Sequence, residues 1–335
     1  MSILFSLRKR NIKLFFKDKG RFFTSLITPA ILLVLYRTFL GNIYKQSIPE
    51  SFGLSDKIVS GFAGAQIISS MLAVSCVTVA FCSNFLRVQD KANGTIKDFR
   101  ISPAKPSIIA LAYYLSTLVS TLLICYCAAA LCFIYLGIIG WYRSAADVFL
   151  LLLDVFLLSL FGTALSSLIN FFLTSQGQIA AIGTIVSAGY GFISGAYRPI
   201  STFNKVLQNI SGFLPSVYGT VLMRNHSLNG VLLARREAGR NDTFIEGLKN
   251  STDCNFYFFD HKVSFLARYL VLILTIVVLI LVYILLNYLK PRNSFGRPSS
   301  LVLLLASRSI FSFFCINSAI WNAQYFKEKE TRSLE

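Results

Sequence analysis

Between two long apolar segments stands the hydrophilic insert Arg87-Val-Gln-Asp-Lys-Ala-Asn-Gly-Thr-Ile-Lys-Asp-Phe-Arg-Ile-Ser-Pro-Ala-Lys105. The apolar run Ile58–Phe85 precedes it and Ile108–Leu136 follows it. Each run is long enough to cross a bilayer, which takes about 20 apolar residues. The insert itself is too polar to lie in lipid and too short to form a domain. We therefore predict that it joins two membrane-spanning helices and offers a docking surface to a cytoplasmic partner.

The composition of the whole chain is that of a membrane protein. Its 335 residues are 55% hydrophobic and 14% charged, with a mean hydropathy of +0.63. A soluble domain carries roughly a quarter charged residues. The net charge of +17 is explained by basic inner loops, so we expect no nucleic-acid binding.

Six segments satisfy the length and composition of a membrane span, which predicts an all-α integral membrane protein. They are Phe22–Leu40, Ile58–Phe85, Ile108–Leu136, Ala145–Leu173, Ile179–Ile193 with the apolar stretch after it, and Val263–Leu289. The predicted transmembrane domain is therefore 22–289. A loop at 86–107 and an outer region at 194–262 interrupt it, and a cytoplasmic tail of unknown role occupies 290–335.

The distribution of Lys and Arg predicts the orientation. Basic residues concentrate before the first span, in the loop 86–107 and just after the sixth span, whereas in the loop 41–57 they are balanced by acids. Because basic loops stay on the cytoplasmic side, we place both termini in the cytoplasm and the chain in the cell membrane. The region 194–262 is also Arg-rich, but long exported loops follow this rule poorly.

Residues 1–21 precede the first span and are predicted to form an amphipathic helix along the inner leaflet. Its apolar face is expected to contain Leu4, Phe5, Ile12, Phe15 and Phe16. The helix is either a lever that touches a motor protein or a simple anchor that sets topology.

The insert carries its own local signals. Asn93-Gly94 is expected to break the preceding helix, since Gly, and to a lesser degree Asn, tolerate positive φ. Thr95 can cap a short helix over Ile96–Ile101, which Ser102-Pro103 ends. Ile96, Phe99 and Ile101 would supply apolar contacts to a partner. The alternative is an ordinary inner loop with basic topology signals.

A second block follows the fifth span. The glycines 183, 189, 191 and 195 place a stripe of small residues on that span, which allows helices to approach closely, and Pro199 stops it. The segment Phe203–Phe213 is too short to cross and is predicted to fold back within the outer leaflet. The stripe would form an outer gate and dimer seam, or pack within one subunit.

Asp154 is a charge well inside a predicted span. A carboxylate there costs several kcal/mol on insertion scales and suggests a function. It would line a path for a cationic substrate, or be protonated and bonded to a neighbouring Ser or Thr. The seven Cys and two His residues are not arranged as a metal site, and we predict neither a metal nor a catalytic centre.

The sequence contains no phosphate-binding loop of the Gly-x-x-x-x-Gly-Lys-Ser/Thr type. No polar stretch is long enough to hold an ATPase. If transport is active, we expect ATP to be hydrolysed on another chain.

The insert resembles the loop after the second span in permeases of type 2 ABC exporters. The resemblance rests on Gln89, then Asn93-Gly94-Thr95, Phe99-Arg100 and Ser102-Pro103. Asn93 replaces the acid that usually precedes the Gly-Thr pair. A second resemblance lies in Gly189-Tyr-Gly-Phe-Ile-Ser-Gly195 with Pro199, and in the stretch Pro215-Ser-Val-Tyr218. The first part is similar to the end of the family's fifth span, after which the family places a short re-entrant helical pair and then a Pro-x-x-Tyr stretch, all before the last span.

The resemblance implies two permease subunits, identical or paralogous, and separate ABC ATPase subunits that bind ATP and Mg²⁺. The implied ATPase-coupling residues are Gln89, Asp90, Asn93, Gly94, Thr95, Ile96, Phe99, Arg100, Ser102 and Pro103. The implied residues of the gate or dimer seam are Gly189, Gly191, Gly195, Pro199, Pro215 and Tyr218.

Three classes of function remain. The first is an exporter of amphipathic, drug-like or peptide substrates, with export of lipid-linked polysaccharide or teichoic acid as its close alternative. The second is an ATP-independent channel, which the scarcity of charges in the spans disfavours. The third is a membrane scaffold that transports nothing.

Overall fold

The computed structural model describes residues 2–35, 38, 56–101, 104–237, 242–259 and 261–289. The predicted tail at 290–335, most of the loop 41–57 and the pair Ser102-Pro103 lie outside these residues. The helices are α1 (Ser2–Lys17), α2 (Lys19–Leu35), α3 (Asp56–Ala92), α4 (Thr95–Ile101), α5 (Pro106–Ile139), α6 (Ala145–Phe172), α7 (Gln176–Ile193), α8 (Lys205–Gly212), α9 (Pro215–Glu237), α10 (Asp242–Ser251) and α11 (Phe265–Leu289). A short 3-10 helix at Ile200–Thr202 and a two-stranded antiparallel hairpin, β1 (Tyr257–Phe258) and β2 (His261–Lys262), complete the described elements.

Four of these helices, α3, α5, α6 and α11, are long and apolar enough to cross a membrane. They match the second, third, fourth and sixth predicted spans. The first and fifth predicted spans fall on α2 and α7, which have 17 and 18 described residues. The count of six spans therefore stays a prediction.

Helix α3 is the centre of the bundle and packs against α2, α5, α6, α7 and α9. Its apolar stretch is almost wholly buried, whereas only a third of the corresponding stretch of α5 or α11 is buried. Small residues on the neighbouring helices allow α3 to occupy this central position. A Cβ added at Gly162 of α6 would lie 2.9 Å from the Cα of Val77, so the two backbones approach closely, as small residues allow between helices in membranes.

Helix α9 was not predicted from the sequence. The segment that we expected to fold back, Phe203–Phe213, contains only the short helix α8, and the 23-residue helix α9 follows it. Gly219 lies against Leu158, whereas Asn229 binds Asp147, so α9 runs antiparallel to α6. Its polar side chains are buried because they find partners in the chain; Ser227 Oγ, for example, donates to the carbonyl oxygen of Ala65 at 2.8 Å.

The N-terminal prediction needs correction in one respect. The expected single helix over 1–21 is divided at Asp18 into α1 and α2. Of the residues expected on its apolar face, Phe15 is buried, while Phe5 and Phe16 are 56% and 37% exposed. Helix α1 packs along α5, so the chain itself covers Phe15.

Candidate functional site

The predicted coupling helix is present as α4, between α3 and α5. Helix α3 ends where Gly94 adopts a φ of +81°, which glycine tolerates better than other residues. The amide of Asn93 donates to the carbonyl oxygen of Gln89 at 2.8 Å and closes the last turn. Asn93 and Asp98 are exposed, and Thr95 and Ile96 are half-buried. Asp98 of α4, and Asn93 just before the helix, are therefore open to the surroundings.

Phe99 attaches α4 to the rest of the chain. It packs against a cluster of buried residues from α1, α3 and α5 that includes Leu7, Leu86 and Tyr113. The guanidinium carbon of Arg10 lies 5.1 Å from the centre of the Phe99 ring, within the range of a cation–π contact. The sequence had suggested Phe99 as a contact for a partner, but its ring faces its own subunit.

Asp90 joins three helices at the base of α4. Its Oδ2 atom lies 2.9 Å from Arg10 Nη1 of α1 and accepts a hydrogen bond from the Tyr113 hydroxyl of α5 at 2.5 Å. Asp90 is 6% exposed, so these partners satisfy a carboxylate that burial would otherwise penalise.

The last turns of α3 also bind α6 and α11. The ammonium group of Lys91 donates to the carbonyl oxygens of Asn170, Phe171 and Leu173 at 2.7, 2.8 and 2.9 Å. A cation is favourable there because the carbonyl end of a helix carries partial negative charge. On α11, Arg87 donates to the Tyr283 hydroxyl and to Asn287 Oδ1.

We call Arg87, Asp90 and Lys91 with these partners the inner polar cluster. It fastens the end of α3 to α1, α5, α6 and α11. The segment of α3 just before α4 is therefore bound to four other helices. Gln89, also implied by the resemblance, is half-buried beside the cluster, and Arg100 lies in α4.

The residues implied for the gate or seam separate into two groups. Gly189 faces open space, with no atom within 4 Å of an added Cβ. The others are used inside the chain. Gly191 packs on the Tyr197 ring, and Gly195 has a φ of +71° beside Ile200. Pro199 precedes the 3-10 helix and Pro215 begins α9. The Tyr218 hydroxyl donates to the carbonyl oxygen of Gly212 at 2.7 Å.

The outer region contains a buried ion pair that the sequence did not indicate. Arg224 Nη1 of α9 lies 3.0 Å from Asp253 Oδ2, and the two side chains are 0% and 3% exposed. Arg224 also donates to the carbonyl oxygen of Gly195 at 2.8 Å, and Asp253 accepts from the amides of Ile200 and Ser201. The pair joins α9, the turn after α7 and the segment after α10.

Asp154 has partners that differ from the Ser or Thr expected from the sequence. Its Oδ2 atom lies 2.5 Å from His226 Nδ1, and its Oδ1 atom accepts from the Tyr269 hydroxyl at 2.9 Å. In the described part of the chain, no three His, Cys, Asp or Glu side chains are grouped as metal ligands.

The family model of the ABC-2 type transporter matches residues 3–226, about two thirds of the chain. The chain belongs to the ABC-2 type transporter family. The match begins in α1 and ends in α9, and therefore includes Arg87, Asp90 and Lys91, α4 and Asp154. No curated protein matches the sequence.

Membership of the ABC-2 family confirms the resemblance stated from the sequence. It makes the chain a multi-pass membrane protein and the transmembrane, translocating component of an ABC transporter. The family implies an ABC ATPase as partner.

Proposed function

We propose that the chain exports amphipathic, drug-like or peptide substrates, driven by ATP hydrolysis on a separate ATPase subunit that docks on α4. The observation that carries this proposal is the attachment of α4. One side of this short helix is fixed through Phe99, and its base is held by the inner polar cluster. Asn93 and Asp98 are exposed beside these attachments and would contact the partner.

The arrangement divides the implied coupling residues into two roles. Asn93, Gly94, Thr95 and Ile96 form the surface for the ATPase. Asp90 and Phe99 are positioning residues, because their side chains contact α1 and α5. Movement of the docked ATPase would reach α1 through Arg10, and α6 and α11 through Lys91 and Arg87.

We place α4 and both termini in the cytoplasm, with α2 and α7 as the first and fifth of six spans. The basic residues of α1 and of the segment around α4 support this orientation. Helices α8 and α9 would lie on the outer side, with α8 in the segment predicted to fold back. The antiparallel packing of α9 along α6 supports that assignment.

A second permease subunit, identical or paralogous, would pack on the face of α7 that this subunit leaves exposed. That face combines small and apolar residues, namely Ala181, Thr184, Ile185, Ala188 and Phe192. Gly189 beside it would let the two helices approach closely. The mainly apolar surface of α7 favours amphipathic substrates over charged ones.

Affinity purification in mild detergent would test the docking surface. Recovery of an ATPase subunit with the native chain, and its loss in the double variant Gly94→Val/Thr95→Lys, is the expected result. The variant Gly247→Ala/Lys249→Ala in α10 is the control, because an added Cβ at Gly247 meets no atom within 4 Å. Unchanged recovery from the double variant would contradict docking on α4. A native chain that purifies without any ATPase would favour a channel.

A further inference from the structure

His226 and Asp154 form a pair buried inside the bundle, in the half of α6 nearer its N-terminus. The two residues are 5% and 2% exposed and belong to α9 and α6. Tyr269 of α11 donates to the same carboxylate. The pair therefore lies where three helices meet. The family model ends at residue 226, so α11 and the rest of this junction lie beyond it.

The charge of the pair depends on a single proton. A neutral His226 carries one N–H proton. When the pair holds one further proton, shared between the carboxylate and the imidazole, its net charge is zero. Without that proton, a carboxylate remains in the bundle with a neutral His226 and the Tyr269 hydroxyl as its compensation. A buried carboxylate that has neutral hydrogen-bond donors but no cation beside it is costly.

Among the described residues, the other buried ionisable groups of the helices around the pair have partners elsewhere. Arg224 is paired with Asp253, and Asp147 accepts from Asn229. Arg143 donates to the carbonyl and hydroxyl oxygens of Ser227. Arg268 donates to backbone carbonyl oxygens, and Cys76 donates to the carbonyl oxygen of Val155. Helix α3, which packs against α6 and α9, has no Asp, Glu, Lys or Arg between residues 58 and 86, and α5 has none between 106 and 139.

One atom of the pair has no partner. His226 Nε2 is buried and makes no hydrogen bond within the described residues. The ring packs edge-on against Phe265, with centroids 5.4 Å apart, and lies 6.5 Å from the Tyr269 ring. A buried polar atom without a partner is uncommon, so the hydrogen bond to Asp154 is the one that holds the imidazole in the described structure.

We propose that Asp154 and His226 form a proton-binding site that holds α9 against α6 and α11. With the proton bound, the pair is neutral and the three helices stay together. Loss of the proton leaves net negative charge at the junction and weakens the attachment of α9. The packing of α9 would therefore depend on pH. This dependence needs no ATPase, because both residues belong to this chain.

The test uses the purified full chain in lipid nanodiscs, with no ATPase present. The midpoint of thermal unfolding is measured between about pH 5.5 and pH 8.5, the range in which histidine usually exchanges its proton. Under this proposal, the bound proton stabilises the folded chain. The midpoint should then be highest at low pH and fall as pH rises, by on the order of 2–4 °C.

The chain has two histidines, which provides a matched control. His261→Gln, in the hairpin, should keep the dependence on pH, and His226→Gln should remove it. Asp154→Asn should reduce it while leaving His226 in place. A flat profile for the native chain, or the same slope in His226→Gln, would overturn the proposal.

If His226→Gln does not insert, His261→Gln still decides the question, because His226 is then the one remaining histidine. A retained slope supports the proposal, and a lost slope contradicts it. These outcomes are independent of whether the ATPase docks on α4, so this proposal and the proposed function can fail separately.

Discussion

Arg224 and Asp253 form an ion pair of 3.0 Å in which neither side chain is more than 3% exposed. Asp253 has a positive φ of 58°, and its carboxylate also binds two backbone amides. The pair is thus the point at which α9 is fixed to the turn that follows α7. Replacing either residue by a neutral one leaves the other as a buried charge without its ion-pair partner.

Asp253→Ala is expected to destabilise the folded chain by about 3–5 kcal/mol, the usual cost of removing one partner of a buried pair. The fraction of protein that stays monodisperse in detergent during heating measures the effect. Glu246→Ala is the control, since Glu246 is exposed on α10. Equal stability of the two variants would show that the pair does not fix α9.

Lys91→Met should loosen the end of α6. The substitution keeps most of the apolar stem but removes three charge-assisted hydrogen bonds to carbonyl oxygens, each worth about 1.5–3 kcal/mol. Hydrogen exchange of the amides around 169–173 should become at least about tenfold faster, since 1.4 kcal/mol corresponds to a factor of ten. Lys105→Met, at an exposed position before α5, should leave these amides unchanged. Unaltered exchange in Lys91→Met would contradict the role of Lys91 as a cap.

The elements that the sequence predicted well are those set by local signals. Helices α3, α5, α6 and α11 follow from long apolar runs, and the break before α4 follows from Asn93-Gly94. Helix α9 was missed because its composition is polar. Arg224 and His226 are buried there with Asp253 and Asp154 as partners, and these partners lie 29 and 72 residues away in the sequence. No local pattern can reveal such pairs.

The candidate site shows the same limit. The sequence located α4 and flagged Asp154, but it assigned Phe99 to a partner. The sequence of a short helix such as α4 shows which of its residues are apolar. It does not show whether those residues pack against their own subunit or against a partner. The stacking of Arg10 on Phe99 depends on how α1 packs along α5, and that packing is a tertiary contact.

Gly162→Val should prevent the close approach of α6 to α3. The added side chain would meet the backbone of Val77 at 2.9 Å and the carbonyl oxygen of Cys76 at 3.0 Å, and backbone cannot rotate away. Overpacking of this kind typically costs about 1–3 kcal/mol, so we expect a lower thermal midpoint and a smaller yield of folded protein. Gly137→Val in α5 is the control, because no atom lies within 4 Å of a Cβ there. A Gly162→Val chain as stable as this control would contradict tight packing of the two helices.

Thiol labelling of intact cells tests the orientation of the chain. Native Cys254 is buried, and burial raises the pKa of its thiol, so little reactive thiolate should be present near neutral pH. Cysteine at exposed Glu246 (Glu246→Cys) should react with a membrane-impermeant reagent from outside. The background is a chain in which all seven native cysteines are replaced, because Cys127 is exposed as well. Asp98→Cys on α4 should react only after the cells are permeabilised, because α4 is placed in the cytoplasm. The opposite pattern, with Asp98→Cys labelled first, would invert the proposed topology and place the docking surface on the wrong side of the membrane for an ATPase.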